Sequence, residues 1–330
     1  MLVLDLLLMR TPFPYGLRKI WSHPSHCASG GLRGLSHRLG GTVRWATYQL
    51  QKKLSLFPAT GRVIPWVDGL KVQLLTNSQG SQSCLYYGLF DWPSLQFLRR
   101  YLRPGDLCAD IGANMGTYRL LMARWAGAQS VHAFECLPEN VTKLRCNLKL
   151  NGLEAVTVHP VALADRDGLV QLNRSDGDST VSISPPPLDG YNHSENGIGS
   201  SPGLSEHWVQ AKRLDGFPWP DRFAYIKIDV EGAEQLVLGG SEGELRRGAP
   251  KVWSFELLDT QQRLGSSNAA LLEAFTRWQY GFYLYDPTTN RLQPFCPETS
   301  GAEPPRLDNN VLAIHVSALE EVAKRLCGLV

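Results

Sequence analysis

Leu107-Cys108-Ala109-Asp110-Ile111-Gly112-Ala113-Asn114-Met115-Gly116 is the stretch whose reading decides the fold. A short apolar run ending in an acid passes into a glycine-rich turn, and the helical pattern Thr117 to Trp125 follows at once. That order predicts a buried strand, a tight turn and a helix, the opening of a βαβ unit in which glycines let the backbone approach a ligand closely. The spacing is D-x-G-x-N-x-G. The dinucleotide spacing G-x-G-x-x-G follows no predicted strand, and Gly197, Gly199 and Gly203 miss it by one residue. An acid at the strand end suits a cationic or amino-bearing ligand better than a pyrophosphate. The same turn would need glycine for purely structural reasons as well.

Working outward, strands are expected at Leu107 to Ile111, Val131 to Phe134, Val156 to His159, Ala224 to Asp229, Lys251 to Glu256, Gly281 to Tyr285 and Asn310 to His315. Helical patterns separate most of them, the signature of an α/β fold with a largely parallel sheet. The last two strands lack a helix between them and should pair antiparallel, since a parallel pair needs a crossover. Upstream, Asp68-Gly69 between two apolar runs predicts a hairpin, and Pro93 to Leu102 a helix that stops before Arg103-Pro104-Gly105. The expected organisation is a basic extension over 1–56, a hairpin and helix over 57–104, and the main domain over 105–330. The irregular stretches Asn173 to Glu206 and Pro287 to Asp308 read as loops, the first either near a ligand site or a surface excursion.

Composition narrows the function classes. The chain has 330 residues, is 43% hydrophobic and carries a net charge of only +2, which excludes disorder and a polyanion binder driven by overall charge. The charge is uneven, however. Residues 1–56 hold Arg10, Arg18, Lys19, Arg33, Arg38, Arg44, Lys52 and Lys53 against the single acid Asp5. That arm reads first as a solvated extension and second as a surface for anionic lipid or glycan, the expected peripheral membrane contact. The seven cysteines form no C-x-x-C pair and fit reduced thiols in a cytoplasmic compartment. The apolar run Met1 to Met9 is too short for a membrane span and lacks the basic start of a signal peptide. No Cys/His spacing suggests zinc, His132 and His159 read as satisfied core imidazoles, and the scattered Trp and Phe form no platform for nucleic acid.

Two further strand ends carry acids. Glu135 follows the second strand about twenty residues after the glycine turn, where an acid accepts hydrogen bonds from ribose hydroxyls of a nucleoside ligand. Asp229, Glu231 and Glu234 surround a helix start at the carboxyl end of the fourth strand, and Glu256 ends the next. Acids in a first helical turn also stabilise the helix dipole without any function, and Glu234 reads equally as a solvated helix acid.

The segments DIGANMG, HAFECLPEN, LKLNGL, VALADRDG and IKIDVEGAE, in this order and spacing, resemble the FkbM family of S-adenosylmethionine-dependent methyltransferases. The resemblance is close over residues 84–258. It implies the Rossmann-like class I methyltransferase fold, an α/β arrangement whose mostly parallel seven-stranded sheet has its last strand reversed, and S-adenosyl-L-methionine as cofactor. It implies O-methylation, typically of a sugar hydroxyl on a glycan or of a secondary metabolite. By position it also implies that Asp110, Gly112, Asn114 and Gly116 cradle the methionine end and Glu135 the ribose, with Ala162 and Asp165 near adenine and Asp91 a weaker contact. Cys136 departs from the usual proline, and Arg213 from the usual threonine. Asp229 is the expected general base, with Glu231 and Glu256 orienting neighbouring hydroxyls and Lys227 pairing with a carboxylate. The clustered acids could alternatively bind Mg²⁺. The rival readings are a cofactor-binding protein without turnover and a nicotinamide dehydrogenase, which the glycine spacing disfavours.

Overall fold

The computed structural model describes residues 31–54, 56, 58, 61–75, 83–86, 88–89, 91–174, 181–184, 207–257, 267–296 and 310–328. The readings of Met1 to Met9, of Gly197, Gly199 and Gly203, and of most of the 173–206 stretch lie outside them.

Along the chain the elements are α1 (Gly31–Lys53), β1 (Arg62–Pro65), β2 (Lys71–Leu74), α2 (Trp92–Tyr101), β3 (Cys108–Ile111), α3 (Thr117–Ala126), β4 (Val131–Phe134), α4 (Pro138–Leu150), β5 (Thr157–His159), β6 (Ala162–Leu163), β7 (Gly168–Arg174), β8 (Val181–Ser184), β9 (His207–Lys212), β10 (Tyr225–Ile228), α5 (Glu234–Gly239), α6 (Glu242–Arg246), β11 (Val252–Glu256), α7 (Asn268–Thr276), β12 (Tyr280–Asp286), β13 (Arg291–Pro294), β14 (Asn310–His315) and α8 (Leu319–Leu326). They fall into two compact units, residues 1–96 and 97–330, and α2 runs across the division.

In the first unit β1 and β2 form the expected hairpin, with Pro65 opposite Lys71. Asp68 and Gly69 both take left-handed backbone angles, φ 52° and 77°, the conformation that makes Asp-Gly a hairpin signal. Helix α1 lays Tyr48 into a small core with Leu74 and Tyr86, with Trp45 packed against it, so this part of the helix is joined to the hairpin.

The second unit is built on an eight-stranded sheet in the order β13-β12-β14-β11-β10-β3-β4-β5. Strands β11, β10, β3, β4 and β5 are mutually parallel. Strand β14 is reversed and inserted between β11 and β12, antiparallel to both, as the absence of a crossover helix requires. This is the expected class I arrangement, extended by one strand. That strand, β13, pairs with β12 inside the stretch read from sequence as a loop over 287–308. Its four residues, Arg-Leu-Gln-Pro, are mostly exposed and carry too short a pattern to be read as a strand. The central strands β3 and β10 are buried along their whole length, which is why they read as continuous apolar runs.

A second sheet, ordered β6-β9-β7-β8, has no counterpart in the sequence reading. Strand β8 falls within the expected loop 173–206, where Val181-Ser182-Ile183-Ser184 alternates apolar and polar residues and pairs antiparallel with β7. Four alternating residues flanked by Ser, Gly and Pro are easily read as loop; pairing with β7 makes them a strand. The inner face of this sheet, with Ala162, Val170, Leu172 and Ala211, packs on Leu137 after β4 and Ala233 after β10. It therefore covers the carboxyl edge of the main sheet. No described helix is long and apolar enough to cross a membrane.

Candidate active site

The order of the main sheet places a topological switch between β3 and β10, because the chain leaves β3 toward β4 on one side and returns to β10 on the other. Ligands of open α/β sheets bind in the crevice outside the carboxyl ends of the strands at such a point. A crevice lies there, and the turns after β3, β4, β5 and β10 all contribute to it.

Its floor is the glycine turn. Gly112 has φ 83°, and a Cβ at this position would overlap the carbonyl oxygen of Asp229. Only glycine lets the turn after β3 lie against the turn after β10, and that contact brings Asn114 and Asp229 to one crevice. Asn114 is itself left-handed, φ 45°, which aims its backbone N–H at Glu135 Oε2, 2.6 Å away. The other carboxylate oxygen, Oε1, accepts from the Leu137 N–H at 2.9 Å. Burial raises the affinity of Glu135 for a proton, and the N–H groups of Leu137 and Asn114 oppose it. Two backbone donors and the Asn140 side chain thus fix the carboxylate, whose two oxygens together offer more acceptor sites than these donors use.

The far wall is apolar: Phe134, Val161 and, from the second sheet, Ala162, Leu163 and Leu172. At the opposite side stand Asp229 and Glu231. Asp229 Oδ2 accepts from Lys227 Nζ at 2.7 Å, and the lysine side chain is 2% exposed whereas that of Asp229 is 37% exposed. The Lys227 ammonium also lies 4.5 Å from the Tyr118 ring centre, a cation–π contact that helps a buried charge. Glu231 adopts φ 54°, a left-handed angle costly for a residue with a side chain and characteristic of functional turns.

Not every expected residue comes to the crevice. Gly112, Asn114, Glu135, Ala162, Asp229 and Glu231 line it. Asp110 does not: its carboxylate is 3% exposed and pairs with Arg119 at 3.0 and 3.2 Å beneath the turn. Gly116 supports the turn from behind, with room for a side chain limited by Leu144. Asp165 points to the surface beside Arg166, while its carbonyl accepts from Arg213, the residue that departs from the family pattern. Glu256 ends β11 opposite Asn310 and is not part of the lining, and Asp91 belongs to the first unit, ahead of α2. Glu234 is not a solvated acid. It is 1% exposed, accepts from the Gly232 N–H, and holds the tight turn before α5. His132 and His159 are not core imidazoles either, but half-buried rings on β4 and on the edge strand β5 whose nitrogens lie 3.1 Å apart.

Arg119 was not singled out in the sequence. A signal existed: an arginine set directly before the apolar run Leu120-Leu121-Met122 needs a buried acid, and Asp110 on the preceding strand is that acid.

A family model, the methyltransferase FkbM domain, matches residues 110–282. The chain belongs to the FkbM methyltransferase family. Methyltransferase 1 of Beauveria bassiana is 29% identical over 144 residues, 41% of this chain and 58% of that protein. A ribosomal protein L11 methyltransferase of Geobacillus kaustophilus is 42% identical over 72 residues, 22% of this chain and 23% of that one. The match thus spans less than two thirds of the length of either relative. Among solved structures, an rRNA methylase from Streptococcus thermophilus aligns over 67% of this chain and 91% of its own, at 14% identity and TM-score 0.36. A SAM-dependent O-methyltransferase from Thermotoga maritima aligns over 78% of each chain, at 15% identity and TM-score 0.37. At such scores it is the strand order and register that define the fold.

S-adenosylmethionine is the cofactor of this FkbM domain, and the crevice fits it. A buried carboxylate suits paired hydroxyl donors, and the Phe134 to Leu172 wall suits a planar ring. Among the described residues, no group of three or more His, Cys, Asp or Glu is arranged to hold a metal ion. The six described cysteines are free thiols.

Proposed function

We propose that this FkbM methyltransferase methylates a hydroxyl oxygen, with a sugar on a glycan or glycosylated metabolite as acceptor. The observation that carries the reading is Asp229: a partly exposed carboxylate at the rim of the crevice, anchored from behind by a buried ammonium. When bound, S-adenosylmethionine supplies a methyl group on a positively charged sulfur. The protein's own contribution is positioning and proton transfer. Glu135 would hold the ribose and the turn over 112–116 the methionine end, and positioning of this kind supplies much of the acceleration of a displacement reaction. Asp229 takes the acceptor hydroxyl's proton as the new bond forms, worth roughly 10² to 10⁴-fold. Lys227 keeps that carboxylate in one rotamer, and Glu231 orients a neighbouring hydroxyl.

Transfer of labelled methyl to glycan extracts of the source organism, followed by sugar analysis, tests the acceptor. Label on nitrogen or carbon, or on protein or RNA, overturns it. Asp229→Asn tests the base: turnover should fall by roughly 10² or more with cofactor affinity little changed, because only transition-state stabilisation is lost. Near-normal turnover removes Asp229 from catalysis, and affinity that falls in step with turnover, or that depends on added Mg²⁺, assigns it to the cofactor or a metal instead. Binding of S-adenosylmethionine without any transfer would favour the inert reading.

A further inference from the structure

Helix α1 has two apolar faces. One, centred on Tyr48 and Trp45, packs against the hairpin. The other is bare: Leu39 is 50% exposed, Val43 64%, Leu50 58% and, in the turn that continues the helix, Leu54 56%. At 3.6 residues per turn these four lie within about 60° of one another and roughly opposite Tyr48. Large aliphatic side chains in a continuous stripe along four turns of helix are not the scattered exposure that any surface shows.

The charge on the same helix narrows what covers the stripe. Residues 31–53 include Arg33, Arg38, Arg44, Lys52 and Lys53 and no Asp or Glu. Arg44 is turned back to the Leu85 and Tyr86 carbonyls and clamps the helix to its own unit. Lys52 and Lys53 stand exposed at the carboxyl end of the helix. A second copy is a poor occupant, since two such helices side by side would bring basic residues together with no acid between them. The helix is also not apolar enough to cross a membrane.

We propose that α1 docks in the interface of a membrane carrying anionic phospholipid, with Leu39, Val43, Leu50 and Leu54 among the acyl chains and the lysines at the headgroups. Exposed aliphatic residues on one side of a basic, acid-free helix are the combination by which interfacial helices bind such surfaces. The inference is independent of the methyl acceptor. It places the enzyme at the membrane surface whatever hydroxyl it modifies.

The test is co-sedimentation of the full chain with phosphatidylcholine vesicles, with and without phosphatidylglycerol, at low and high salt. Binding is expected only with phosphatidylglycerol and should weaken with salt. Val43→Glu combined with Leu50→Glu, at exposed positions where folding is not at stake, should reduce it by about tenfold or more at an unchanged melting temperature. Lys52→Glu with Lys53→Glu should remove the preference for the anionic vesicles. A wild-type chain that stays in the supernatant overturns the proposal, as does binding that the Val43/Leu50 variant retains. So does a dimer that this variant abolishes while the wild type ignores vesicles.

Discussion

Asp110 and Glu135 are both acids at strand ends beside one glycine turn, yet they do different work. Glu135 faces the crevice on two backbone donors, while Asp110 is consumed by Arg119 in a pair whose side chains are only 3% and 1% exposed. The consequences of removing each are therefore expected to separate. Asp110→Asn leaves the Arg119 charge buried without its ion-pair partner, with only the more distant Glu135 carboxylate to offset it, and unfolding titrations should show a loss of about 3–5 kcal/mol. A stable Asp110→Asn protein with lost cofactor affinity would return Asp110 to the binding site. Glu135→Gln should keep the fold largely intact and weaken S-adenosylmethionine by about 1–3 kcal/mol in calorimetric titration, the range for buried polar groups left without partners. Unchanged affinity in a folded variant would remove Glu135 from the site.

At the scale of elements, two contacts between strands carry testable weight. The turns after β3 and β10 meet at Gly112, where any side chain would strike the Asp229 carbonyl. Gly112→Ala should therefore lose cofactor binding and at least about 1 kcal/mol of stability through its left-handed φ alone. An alanine variant that binds normally would show that the two turns can part without consequence. On the edge strand, His159 stacks on the Phe134 ring with centres 4.5 Å apart, and burial together with the neighbouring His132 lowers its pKa from 6.5 to about 4. The folded state thus holds the neutral ring while the unfolded chain is already protonated. The stabilisation is complete above pH 6.5 and is lost as pH falls toward 4. His159→Gln should flatten the decline of melting temperature over that window, whereas an identical profile would mean that the ring titrates normally.

For the molecule as a whole, the crevice predicts linkage between ligand and stability. A cofactor that binds only the folded second unit should raise its unfolding free energy by about 2.7 kcal/mol at a hundredfold excess over Kd, seen as a melting temperature that climbs with concentration. No shift at any concentration would argue against a formed site. The first unit behaves differently. Truncation at residue 56 removes Tyr48 from its core with Leu74 and Tyr86, so the hairpin should lose protection in hydrogen exchange even if the cofactor still binds.

Much of this was legible in the chain. Buried parallel strands such as Cys108–Ile111 and Tyr225–Ile228 write themselves as apolar runs, and the glycine turn and the acids at fixed distance after it are local signals, because a strand-to-helix turn and the strand end twenty residues on obey short-range geometry. What the chain alone left open was decided by partners remote in sequence. Whether an acid faces the crevice depends on what else is buried nearby: Arg119 takes Asp110, two N–H groups present Glu135, and Lys227 aims Asp229. The second sheet became strands only by pairing across the chain, β7 with β9 and β6 with β9, and it supplied Ala162, Leu163 and Leu172 to a crevice whose other walls come from the main sheet. Local propensity sets which residues can turn, cap or pair. Burial in three dimensions settles which of them must, since a charge or an unpaired backbone group removed from water is tolerated only where the fold brings it a partner.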